Sequence, residues 1–117
     1  MDLKKQTQKR EIKFRVWDGE QMVSPDYINR DGTARWKCNS IPQFSDDLMQ
    51  FTGLQDANGV DIYEGDKYIW GSKKQEEGRI EFIGGSFRCY CERTKNAFPI
   101  ESMYATIEVV GNIHENK

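Results

Sequence analysis

Cys89 and Cys91 stand one residue apart, and a Cys-x-Cys pair on a strand puts both thiols on one face. With Cys38 and the single histidine, His114, they could in principle complete four metal ligands. Structural zinc sites favour about two to four residues between paired cysteines, so this spacing is off-pattern. Free cysteine on an apolar strand face behaves as a small hydrophobe, and core packing is the expected role. Cys–His nucleophilic catalysis also needs an orienting group, and a lone histidine so near the end of the chain reads as an edge residue. No metal, cofactor or catalytic residue is expected.

Oxygen ligands cluster at Asp56, Asn58, Asp61, Glu64 and Asp66. A calcium loop starting at Asp56 would need glycine at its sixth position, where Asp61 stands. An acidic turn held by side-chain-to-backbone hydrogen bonds is therefore expected. Gly84-Gly85 lies within a hairpin pattern instead of before a helix, so it is no phosphate loop. Basic residues gather elsewhere. Lys9, Arg10, Lys13 and Arg15, with Trp17 and Tyr90, could form a basic strip with a stacking platform for a nucleic-acid strand.

The elements that must position these residues are strands. Short β-branched and aromatic runs alternate with turn pairs at Asp18-Gly19, Asp31-Gly32, Asn58-Gly59, Gly65-Asp66, Gly71-Ser72 and Gly84-Gly85. That pattern predicts an all-β fold, a small single domain of short antiparallel strands and hairpins with at most one or two short helical turns. The 117 residues suffice for one core, and aromatic residues at 12% argue against disorder. Three cysteines in a domain of this size fit a reducing cytoplasm, and no apolar run is long enough for a membrane span. Net charge is −2, which excludes a strongly basic chain. Residues 1–15 nevertheless carry six basic and two acidic groups, +4, and the remainder holds 11 basic and 17 acidic, −6. We expect a mobile basic N-terminal arm over residues 1–9 and one β domain over residues 10–117.

The first strand should span residues 11–17, with Ile12, Phe14 and Val16 on its apolar face. A two-residue Gly84-Gly85 turn would oppose Phe82 to Phe87, Ile80 to Cys89 and Gly78 to Cys91 on one face. On the other, Glu81 would meet Arg88 as an ion pair, and Arg79 would meet Tyr90 as a cation–π pair. Further strands are expected at Tyr27–Asn29, Ala34–Cys38, Leu48–Phe51, Lys67–Trp70 and Thr106–Val110. Helical turns could start at Ser45 and at Pro99, and residues 39–47, which contain Pro42, read as a loop.

Three segments resemble the YopX-like family of phage and prophage proteins. They are Arg10-Glu11-Ile12-Lys13-Phe14-Arg15-Val16-Trp17-Asp18, the central Leu48-Met49-Gln50-Phe51-Thr52-Gly53-Leu54 with Ile62-Tyr63-Glu64-Gly65-Asp66, and Ile107-Glu108-Val109-Val110-Gly111-Asn112-Ile113-His114-Glu115-Asn116. Phe51 and His114 stand where the family pattern has tyrosine. The resemblance implies an all-β protein of a temperate phage or integrated element, acting in the host cytoplasm, with no established activity. By fold-level analogy, Gly65-Asp66 feeding a strand that a hairpin then joins looks like an SH3-like barrel in the C-terminal half.

The expected function is non-catalytic binding of a host or phage macromolecule, with a protein favoured and homo-oligomers allowed by open sheet edges. The alternative is nucleic-acid binding through the basic N-terminal strand, and a small-molecule enzyme is the weakest reading. The candidate interaction surface is Lys9, Arg10, Lys13, Arg15, Trp17, Tyr63, Glu64, Asp66 and His114.

Overall fold

The structure is a computed structural model that describes residues 11–71 and 76–115. The expected arm, with Lys9 and Arg10, lies outside the described residues, as do Ser72 and Asn116. Twelve strands occur among the described residues: β1 Phe14–Trp17, β2 Met22–Val23, β3 Tyr27–Ile28, β4 Ala34–Cys38, β5 Ile41–Ser45 and β6 Leu48–Gln55, then β7 Asp61–Tyr63, β8 Asp66–Trp70, β9 Glu76–Ile83, β10 Ser86–Cys91, β11 Asn96–Pro99 and β12 Ile107–Asn112. All pairings are antiparallel. The sheets run β2-β1-β6-β7, β3-β4-β5 and β11-β10-β9-β8-β12. The five-stranded sheet curls into a half-barrel, in keeping with the SH3-like expectation. No helix among the described residues is long and apolar enough to cross a membrane.

The 79–91 hairpin forms in the expected register. Phe82 opposes Phe87, Ile80 opposes Cys89 and Gly78 opposes Cys91. Gly84 and Gly85 take φ of 62° and 86°, the positive values that a two-residue I′ turn requires and that glycine adopts without strain. Arg79 stands 4.6 Å from the Tyr90 ring centroid, as expected. Glu81 opposes Arg88 in the ladder as expected, but the two form no ion pair. Its carboxylate accepts from Arg79, two residues along its own strand, where both side chains share a face.

Alternation places the cores. Ile62, Tyr68, Ile80, Cys89 and Ile107 interlock with Ile100 and Met103, closing the half-barrel. A second cluster of Val16, Ala34 and Trp36, with Val23 and Leu48 against it, fastens the three-stranded sheet to β1. The first strand starts at Phe14, and Ile12 is 59% exposed instead of joining the apolar face.

Residues 39–47 are not a loop. β5 runs through Pro42 and pairs with β4 along its whole length. Proline has no N–H for a ladder, but β5 is an edge strand, where that lack costs nothing on the open side. Ser45 starts no helix either. It closes β5, and its Oγ accepts the Asp47 N–H at 3.0 Å. The chain does turn helically after Pro99, as two 3₁₀ turns at Ile100–Ser102 and Tyr104–Thr106.

Candidate functional site

The polar face of β1 is where the expected residues converge. Lys13, Arg15 and Trp17 alternate with the apolar Phe14 and Val16, and each finds a partner from the C-terminal half. Lys13 Nζ donates to Asp61 Oδ2 at 2.7 Å and lies 4.6 Å from the Phe51 ring centroid. Arg15 Nη2 donates to Asp66 Oδ1 at 2.5 Å, and its guanidinium lies 4.3 Å from the Tyr63 centroid. Trp17 stacks on His114, with centroids 6.0 Å apart and ring planes 11° from parallel. The row is a clasp between the first strand and the half-barrel.

Local chemistry explains the clasp. The turn between β7 and β8 brings Asp66 Oδ2 back onto the Tyr63 N–H at 2.7 Å, fixing the carboxylate under the ring that Arg15 covers. The Gly65 N–H donates to the Ile80 carbonyl at 2.8 Å, and the Ile113 N–H donates to the Gly65 carbonyl at 2.9 Å. These bonds tie the turn to β9 and to the segment carrying His114. Glu64 accepts the Gln50 N–H at 3.3 Å, which joins the same turn to β6.

Burial pushes the Asp66 carboxyl above its ordinary value, although the Tyr63 N–H and Arg15 both favour its charged form. Asp61 is held below the ordinary value by Lys13 and then Gln55. Desolvation also opposes the charge on Asp56. It is outweighed by N–H donors from Val109, Val60 and Asn58 at 2.8, 2.9 and 2.8 Å, so that carboxyl lies below its ordinary value. The oxygen-rich turn is therefore organised by side-chain-to-backbone bonds, as its sequence leads one to expect.

The cysteines separate. Cys89 is in the half-barrel core, where desolvation pushes its thiol up to about 12. Cys91 is buried with its Sγ 3.7 Å from Glu76 Oε1, and Cys38 is exposed at the end of β4. His114 lies on Trp17. No group of three or more His, Cys, Asp or Glu among the described residues is placed to hold a metal ion.

Beside the clasp a cleft of about 600 Å³ opens, with Glu64 and His114 on its lining. An adjoining cleft of about 640 Å³ shares Arg79 and Ile113 with it, and the two neighbouring clefts are together called the channel. The channel has apolar footholds in Ile113 and Phe82, the latter 53% exposed. Its charged lining is mostly acidic. Asp47, Glu64 and Glu81 line one part, and Glu77, Glu92 and Glu115 the other, against Arg79 and Lys67. Arg79 is already engaged by Glu81 and Glu92.

Of the expected surface residues, Lys13, Arg15, Trp17, Tyr63 and Asp66 form the clasp, and Glu64 and His114 reach the channel. Phe82, Ile113 and Asp47 were not singled out from the sequence. Phe82 reads there as a core partner of Phe87, and the rings do meet edge-on at 5.1 Å. Only the end of the hairpin running past the core leaves Phe82 half in solvent.

Comparison with known proteins agrees with this fold. The protein EF1440 from Enterococcus faecalis superposes with a TM-score of 0.61 at 23% identity, over 92% of this chain and 96% of that one. Protein yopX from Bacillus subtilis superposes with a TM-score of 0.57 at 24% identity, over 89% of this chain and 94% of that one. No curated protein matches the sequence. A family model described as YopX protein matches residues 13–117, from the first residue of the clasp onward. By that match the chain belongs to the YopX family.

Proposed function

We propose that this chain is a non-catalytic accessory protein of a phage or prophage, acting in the host cytoplasm by binding another protein. The observation that carries the reading is the acidic channel with apolar footholds beside the clasp. A concave, charged groove with exposed apolar side chains suits an extended basic segment whose side chains fill it. The placement of the chemistry-bearing residues supports binding over catalysis. His114 is committed to Trp17, and the Cys89 thiol is held neutral inside the core. Lys13 and Arg15 are committed to Asp61 and Asp66, which weighs against a free basic strip for nucleic acid on β1. Self-association through open sheet edges belongs to the same reading.

The test is affinity capture from induced host cells, with and without nuclease, using the wild type and two channel variants. Phe82→Ser removes an apolar foothold, and Asp47→Lys reverses an exposed charge on the rim. A protein that survives nuclease and is lost with either variant supports the proposal. Capture indifferent to both variants sinks it, as does capture that vanishes with nuclease.

A further inference from the structure

The three-stranded sheet turns Ala34 and Trp36 inward against Val16, so the alternate residues of β4 face outward. The register sets Tyr27, Arg35 and Phe44 in one row across β3, β4 and β5. Lys37 opposite Pro42 forms the next row on the same face. Tyr27 is 58% exposed and Phe44 69%. The Arg35 guanidinium lies 5.3 Å from the Phe44 ring centroid. Asp26, Tyr27, Arg35, Lys37 and Pro42 line a hollow of about 180 Å³, in which the two cations outnumber the one carboxylate. Neither row contains a carboxylate. On a protein of net charge −2, this face combines two cations with two exposed rings.

An exposed aromatic costs solvation unless something covers it, and cations beside it select the charge of the cover. Neighbouring strands stand about 4.8 Å apart, so Tyr27 and Phe44 are about 10 Å apart with Arg35 between them. A ligand that fits must offer flat apolar groups at intervals along a flexible, negatively charged backbone. A duplex keeps its bases stacked inside, where rings on a flat sheet cannot reach them. We propose that this face binds single-stranded nucleic acid, with Tyr27 and Phe44 stacking on bases and Arg35 and Lys37 contacting phosphates. Such binding is tolerant of sequence, because every base has a π-face. The surface shares no lining residue with the acidic channel, so the two sites stand or fall separately.

The test is fluorescence anisotropy of the full-length protein with labelled single-stranded DNA and RNA of about a dozen nucleotides, and with the matching duplex. Single strands should bind and the duplex should bind more weakly. The logarithm of the affinity should fall with that of salt with a slope of roughly −1.4 for two phosphate contacts. Phe44→Ala and Tyr27→Ala should each weaken binding by about 5- to 150-fold. Both side chains are exposed, so circular dichroism should show the fold retained. Phe44→Trp should restore binding, and Phe82→Ser in the channel should leave it unchanged. No anisotropy change at low salt would overturn the proposal. So would duplex binding as tight as single-strand binding, or indifference to Phe44→Ala. A nuclease-resistant protein partner lost on Phe44→Ala would assign the face to protein instead.

Discussion

Arg15 and Asp66, 51 positions apart, form an ion pair at 2.5 Å in which the aspartate is 1% exposed. The pair joins the first strand to the turn that starts β8. Replacing Arg15 with methionine keeps much of the side-chain volume but leaves a buried carboxylate without its cation. The expected cost is about 3–5 kcal/mol, read from urea unfolding at neutral pH. Asp66 already has a folded-state pKa raised by burial. A carboxyl with a raised folded pKa binds its proton more tightly when folded, so it favours folding as pH falls through that value. Arg15→Met raises it further, and the variant should recover part of its deficit on acidification. A deficit that is constant with pH would contradict this.

Asp56 has the opposite sign. Its carboxylate holds three backbone N–H groups, and its pKa lies below the ordinary 3.8. The stability it contributes is present above that ordinary value and is lost as pH falls through the folded one. Asp56→Ala should destabilise at neutral pH by about 1–3 kcal/mol, because the part-buried Val109 N–H loses its acceptor. Its denaturant midpoint should converge on the wild type as pH falls below the ordinary carboxylate value of 3.8. Parallel curves below that value would show that the carboxylate's charge is not what holds the turn.

Thiol reactivity should distinguish the three free cysteines. Cys38 is exposed, whereas Cys89 and Cys91 are buried. Titration of native protein with an aromatic disulfide should release one equivalent quickly and the other two only on unfolding. The Cys38→Ser variant should lose the fast phase. Rapid reaction of all three in the native state would mean the half-barrel opens readily.

Gly78 is needed for lack of room. A Cβ there would sit 2.0 Å from the Tyr90 carbonyl oxygen and 2.4 Å from the Tyr68 hydroxyl. Tyr68 donates to that same carbonyl at 3.0 Å. Gly78→Ala must displace the buried Tyr68 or part β9 from β10, at about 3 kcal/mol, the upper range for overpacking. Adding Tyr68→Phe leaves the Tyr90 carbonyl at 2.0 Å and the ring carbon at 2.6 Å, and it removes the hydroxyl's own hydrogen bond, so the double variant should recover none of the loss. Calorimetry on the three proteins checks both statements.

How legible each element was depended on how local its cause is. The 79–91 hairpin carries its turn and register within a dozen residues, and both formed as read, although Glu81 takes Arg79 in place of Arg88 as its ion-pair partner. β5 was hidden for local reasons too. Its turn uses Asn39 and Ser40 at φ of 52° and 68° where a hairpin normally has glycine, and Pro42 argues against a strand until β5 is known to be an edge. β7 and β11, of three and four residues, are too short to show alternation.

The candidate site divides the same way. Lys13, Arg15, Trp17, Tyr63, Asp66 and His114 were legible as unusual residues in characteristic segments, but not as partners of one another. The sequence by itself determined that this is an all-β chain, which residues share a strand face, and where charge of each sign collects. Those properties follow from a period of two and from turn chemistry, which act over a few residues. The tertiary structure decided that Lys13 and Arg15 are neutralised, that Phe82 remains in a cleft, and that Tyr27, Arg35 and Phe44 align. Those outcomes depend on which strands close against each other. Closure is settled by burying cores such as Ile62–Tyr68–Ile80–Cys89–Ile107, whose members are scattered along the chain and carry no local mark of their neighbours.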